Sequence, residues 1–163
     1  MPSVLLPEGA YRRLRELAEA RGLNVEDLIL SLAVENAGPE EAGRIYWEAA
    51  EALLAQAEEE LAKGRLRQAS EKIWGTAALA VKAIAFWREG RRLISHGELW
   101  AYVRKLVDES GDRELGRLWR SAISMHVNSY EGWATLEAVR DALEDVRELL
   151  EKLRCPRGEA GQM

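Results

Sequence analysis

The stretch Leu66–Trp87, LRQASEKIWGTAALAVKAIAFW, decides the fold. It contains no Pro, and its one Gly, Gly75, sits mid-run. Leu66, Ala69, Ile73, Ala77, Ala80, Ile84 and Trp87 recur at steps of three and four, so they line one face of a helix. Up to Lys72 the opposite side is polar, with Arg67, Gln68, Glu71 and Lys72. From Ile73 onward only Thr76 and Lys82 interrupt an apolar surface. A helix that turns apolar all round is enclosed by neighbours. The stretch therefore predicts the central helix of an all-α, up-and-down helical bundle.

On its N-terminal side lies a long helical pattern, roughly residues 40–63, with Ala42, Tyr46, Ala49, Leu53, Ala57 and Leu61 as its stripe. Gly64 stops it, and the central helix begins within two residues. The two must be antiparallel neighbours. Further upstream, NAGP at residues 36–39 is the clearest break in the chain. Before it, Pro7 opens a helix over about 8–21 that Gly22 ends, and Asn24 with Asp27 caps a second helix reaching about Glu35.

Downstream, Ser95 and Glu98 form a capping box for a helix over about 96–109. Ser110-Gly111 is a turn, and another helix covers about 112–130. After Glu131-Gly132 a last helix reaches about Leu153, with Leu136, Val139, Leu143, Val146, Leu150 and Leu153 as its stripe. The expected organisation is an N-terminal lead plus two short helices over 1–38, a bundle over 39–153, and a flexible tail over 154–163.

Composition narrows the function classes. The 163 residues are 47% hydrophobic and 31% charged, which is globular rather than disordered. A net charge of -5 argues against a large constitutive nucleic-acid surface but leaves room for a local basic patch. One cysteine, Cys155, excludes an intramolecular disulfide, and no secretory leader is visible. The apolar run 73–87 is too short to span a bilayer. A cytoplasmic protein without membrane contact is expected. Arg supplies 18 of the 23 basic residues, a pattern compatible with a thermophilic source.

Two segments carry candidate chemistry. The first is Arg91-Arg92-Leu93-Ile94-Ser95-His96-Gly97-Glu98. Two arginines precede a capped helix start, where free N–H groups and the helix dipole favour an anion. The same dipole favours neutral His96, which suits a general base. The plain alternative is a solvated turn with a packed or capping His96. The second segment runs from Arg120 to Tyr130. Trp119, Ile123, His126 and Tyr130 share one helical face, and Trp133 lies beyond. They make an aromatic stripe around one histidine, which on such a face serves either as a catalyst or as a packed core residue. Arg120 precedes His126 by six positions, so on a straight helix it points about 120° away. The sequence supports no metal site, no cofactor loop and no nucleophile elbow.

The blocks QASEKIWGTAALAVKAIA, SHGELW and LWRSAISMHVNSYEGW, in this order and spacing, resemble the archaeal PaREP-one family. That family is similar in turn to the HEPN superfamily of four- or five-helix, dimeric bundles. Many HEPN proteins are ribonucleases with an arginine and a histidine separated by four to six residues. Arg120 and His126 match that count with five intervening residues, and Arg91 and His96 with four. The common motif also has a tyrosine two positions after the histidine. Here Asn128 stands there and Tyr130 comes two later. The resemblance implies a homodimeric nucleotide- or RNA-related binding module, and Arg91, Arg92, His96 and Asn128 are the candidate binding residues. Its alternative is a metal-independent ribonuclease with Arg120, His126 and Tyr130 as catalytic residues. It further implies a nucleotidyltransferase-like partner protein. The N-terminal part resembles a ribbon-helix-helix module, which would make a DNA-binding regulator. The lead, however, offers Pro2, Ser3, Val4, Leu5 and Leu6, with no side chain suited to reading bases.

Overall fold

The computed structural model describes the backbone of residues 2–162 and the side chains of residues 2–154. Among the described residues there are seven helices and no strand. They are α1 (Glu8–Ala20), α2 (Val25–Ala33), α3 (Pro39–Ala62), α4 (Leu66–Glu89), α5 (His96–Ser110), α6 (Arg113–Glu131) and α7 (Leu136–Gln162). The expected tail falls mostly on side chains outside the described residues. Residues 2–7, before α1, carry no strand, so no ribbon forms among the described residues.

The helix starts follow local chemistry. The Asn24 side chain accepts the Asp27 backbone N–H at 2.7 Å, and Ser95 accepts that of Glu98 at 3.1 Å while Glu98 reaches back to the Ser95 N–H at 3.2 Å. These contacts occupy donors that the first helical turn leaves unpaired. Asp112 caps α6 by accepting the Glu114 N–H at 3.0 Å. It also receives Lys152 at 2.9 Å, which ties the start of α6 to α7.

Helix α4 is the axis of the bundle and contacts α3, α5, α6 and α7. Residues 76–86 are all buried, including Thr76 and Lys82. Thr76 satisfies its hydroxyl on the Lys72 carbonyl at 2.8 Å. Burial holds the Lys82 ammonium below its usual pKa, with the Asp27 charge opposing that shift and the Arg92 charge adding to it. Alanine dominates this stretch, so neighbouring helices approach closely. At Gly75 a methyl group would meet a Leu53 methyl at 2.8 Å. At Gly43 it would lie 2.5 Å from Cδ1 and 2.7 Å from Cε2 of Trp87. The α3–α4 seam thus depends on glycine from both sides.

Helices α3, α6 and α7 of the same chain cover the apolar second half of α4, as enclosure requires. The exposed large apolar side chains lie elsewhere. Val4, Leu5, Leu6, Tyr11, Ile29 and Leu32 are on the N-terminal segment, where α1 packs chiefly on α2.

Candidate functional site

Helices α5 and α6 are joined by Gly111 and Asp112 alone, and this tight connection makes them antiparallel neighbours. The start of α5 therefore meets the end of α6. Capping at Ser95 fixes His96 as the first residue of α5, and His126 lies one turn before the end of α6. The two imidazoles come together with ring centroids 5.0 Å apart and nearly perpendicular, at 74°.

Trp74 of α4 supports both rings, at 5.5 Å from His96 and 5.1 Å from His126. Tyr130 stands 5.4 Å from His126 on its own helix, again edge-on. Beneath them Trp119, fully buried, lies 5.3 Å from Trp74 and 6.4 Å from Trp100. The result is a run of aromatic rings with a packed base and an open face. Tyr130 is 59% exposed and Trp100 44%, whereas His126 is half-buried.

Burial pushes the His126 pKa below the ordinary imidazole range. The neighbouring His96 adds to this, and the Glu71 carboxylate works against it. The linkage has a definite sign. Above the unfolded-chain pKa of about 6.5 both states hold neutral imidazole, and stability is unaffected. As pH falls below that value, the unfolded chain takes up its proton first. Stability falls until the folded-state pKa is also passed. A His126→Gln variant is therefore expected to lose less melting temperature than the parent between pH 7.5 and pH 5. Identical pH dependence of the two would show that His126 is not the group responsible.

The structure divides the residues that the sequence grouped. His126 and Tyr130 are together, and His96 joins them from a different segment. Arg120 does not join His126. It is exposed over the groove between α5 and α6, beside Trp100, Arg104 and Gly116. Arg91 and Arg92 are exposed on the loop before α5. The Arg91 charge is felt at Glu98 and Tyr102, and that of Arg92 at Tyr46 and Lys82. The charges felt at His126 are those of His96 and Glu71.

Asn128 is fully buried and faces inward. Its amide nitrogen donates to the Ser70 hydroxyl at 2.8 Å, and its oxygen accepts the Ala134 N–H at 2.7 Å. Those bonds hold α4, α6 and the turn before α7 together, so Asn128 is not part of the open face. Trp133 is exposed beyond the end of α6. No group of three His, Cys, Asp or Glu side chains among the described residues is arranged to hold a metal ion. No helix searched among them is long and apolar enough to cross a membrane.

Sequence reasoning missed Trp74 and Trp100. Trp74 falls off the stripe that defines α4 as a core helix, and this displacement was the available signal. It places an indole on the side where α5 and α6 meet.

Comparison with known proteins follows the same boundaries. The profile of the archaeal PaREP1/PaREP8 family matches residues 45–150, from α3 into α7. That span includes every ring of the aromatic run and leaves α1 and α2 outside. A Sulfolobus solfataricus protein of known crystal structure is 32% identical, with a TM-score of 0.53. The alignment covers 64% of this chain and 92% of that one. No curated protein matches. By the extent of the profile match, the chain belongs to the archaeal PaREP1/PaREP8 family.

Proposed function

We propose that this protein is a HEPN-like, cytoplasmic binding module for a nucleotide or RNA, with its ligand face on Trp74, His96, His126 and Tyr130. The convergence of His96 and His126 on Trp74, from two separate helices, is the observation that carries the reading. Exposed aromatic and imidazole faces are what unstacked bases recognise, each stacking contact contributing about 1–3 kcal/mol. A face built only for packing would not need Tyr130 and His96 exposed at its rim.

The test is a titration of tryptophan fluorescence with AMP and UMP, followed by fluorescence polarisation with a short labelled RNA. His126→Ala is expected to weaken binding by about 5- to 150-fold, the range that one lost stacking partner gives. Trp74→Phe should weaken it less, because a ring remains. A parent protein that shows no response to millimolar mononucleotide or micromolar RNA would refute the reading.

A ribonuclease built on Arg120 and His126 is the second reading. Arg120 makes no hydrogen bond or ion pair among the described residues and is free to reach a neighbouring molecule. Within one chain it does not approach His126, so this reading needs a homodimer that brings one protomer's Arg120 to its partner's histidine. The exposed apolar N-terminal segment supplies a surface for such pairing. Light scattering at micromolar concentration should give twice the chain mass. A monomeric mass with no RNA cleavage would remove both the dimer and the nuclease. A nucleotidyltransferase-like partner remains part of the HEPN analogy. The DNA-regulator reading gains nothing from the exposed Val4, Leu5 and Leu6, which cannot read bases.

A further inference from the structure

We propose that the groove between α5 and α6 holds the sugar–phosphate backbone of a single-stranded RNA whose bases stack on the adjoining histidine–tryptophan face. The inference rests on the nucleotide-binding reading above and specifies the ligand as an oligonucleotide rather than a mononucleotide.

The argument begins with the register of α5. His96, Trp100, Arg104 and Asp108 recur every fourth residue, so they form one stripe along the helix. From His96 to Arg104 the stripe rises by about 12 Å. Antiparallel α6 presents His126 opposite the start of that stripe and Arg113 opposite its end. Between them lies a groove of about 450 Å³. Trp100, Arg104, Arg113, Gly116 and Arg120 line it, with Asp108. Trp100 belongs to both features, because it lines the groove and contacts Trp119 of the ring run. Aromatic platform and basic groove are therefore continuous.

Charge distinguishes this groove from the rest of the molecule. The chain carries a net charge of -5, yet three arginines meet one carboxylate here. That carboxylate, Asp108, is already engaged with Arg104 at 3.2 Å. Arg113 and Arg120 have no hydrogen bond or ion pair among the described residues, while Arg117 on the same helix is clamped by Glu114. Two guanidinium groups without carboxylate partners, on one concave surface, suit phosphate oxygens. Gly116 leaves the floor without a side chain. A methyl group there would touch Arg120 and Val107 at 3.6 Å and occupy part of the space.

The experiment compares a labelled six-nucleotide oligo-uridylate with UMP on the full chain. The parent is set against the Arg113→Ala/Arg120→Ala double variant and His126→Ala. Both arginines are exposed, so the double variant should keep the parental helical signal and melting temperature. It is expected to bind the oligonucleotide about tenfold more weakly. Its slope of log affinity against log salt should shrink by about 1.4, as two lost phosphate contacts imply. UMP, whose single phosphate can also reach the groove, should lose less affinity than the oligonucleotide, whereas His126→Ala should weaken both ligands. If the double variant binds the oligonucleotide with parental affinity and salt slope, the groove assignment is overturned and the base-stacking face stands. If duplex RNA binds as tightly as the single strand, the assignment is likewise overturned. If the parent binds neither UMP nor the oligonucleotide, the underlying reading falls and takes the groove with it.

Discussion

Gly43→Val is expected to destabilise the protein by about 3 kcal/mol or more, the upper range for forcing extra carbons into a packed seam. For a chain of this size that corresponds to about 6–12 °C in melting temperature. Gly43 is buried inside α3, directly against the Trp87 indole of α4. That indole is not free to retreat. Its N–H donates to the Glu40 carbonyl at 3.1 Å, and its ring lies 5.8 Å from Trp47. Any side chain at position 43 has to displace a rigid ring that is held on two sides.

The sign of the effect is informative, because replacing glycine inside a helix ordinarily stabilises it by about 1 kcal/mol. At Gly116 of α6 that ordinary gain is expected, since an added methyl meets its nearest neighbours at a comfortable 3.6 Å. Gly116→Ala should raise the melting temperature and Gly43→Val should lower it. Thermal unfolding followed by circular dichroism decides both. A Gly43→Val protein that melts with the parent would mean that α3 and α4 do not meet as described.

Asn128→Ala is the second large effect, expected at about 2–4 kcal/mol. Truncation removes two hydrogen bonds made in the interior and leaves the Ala134 N–H without its acceptor. An abandoned buried donor costs about 1–3 kcal/mol by itself. The Ser70 hydroxyl keeps its bond to the Leu66 carbonyl at 2.7 Å, so the loss concentrates at the turn between α6 and α7. That turn has a second fastening. Gly132 has φ +67°, and Arg67 donates to the adjoining Glu131 carbonyl at 3.3 Å. Ligand affinity measured on the folded fraction should stay within about twofold, because no atom of Asn128 is on the open face. A variant with parental melting temperature and abolished binding would make Asn128 a ligand contact instead.

The helices were readable because their ends are punctuated. Pro39, Gly64, the Ser95–Glu98 pair and Asp112 each stop or start an element for a local reason, and each lies within two residues of an observed boundary. The enclosure of α4 was readable from the polarity change after Lys72. The site was only half readable. His126 and Tyr130 are neighbours on one helix, so their periodicity showed them. His96 lies thirty positions before His126, and no local pattern links them. The short Ser110–Asp112 connection contained the answer, since antiparallel helices of similar length bring their far ends together.

The sequence also misled at two points. Arginine–histidine spacing along the chain suggested a pair, Arg120 and His126, that the structure does not bring together. Asn128 looked like a motif position and is instead a tie between α4, α6 and the α7 turn.

Enclosure of α4 has a consequence for how the molecule breathes. The backbone between Ala77 and Ala85 has neighbouring helices around it, and its side chains are short and buried. No small outward motion of a single neighbour can bring water to those amides. Their hydrogens should exchange only when the whole bundle opens, at the full free energy of unfolding. Helix α1, resting chiefly on α2, can detach without disturbing that axis. The protein should therefore exchange in two tiers, with an N-terminal pair that opens often and a spindle that opens only once everything else has.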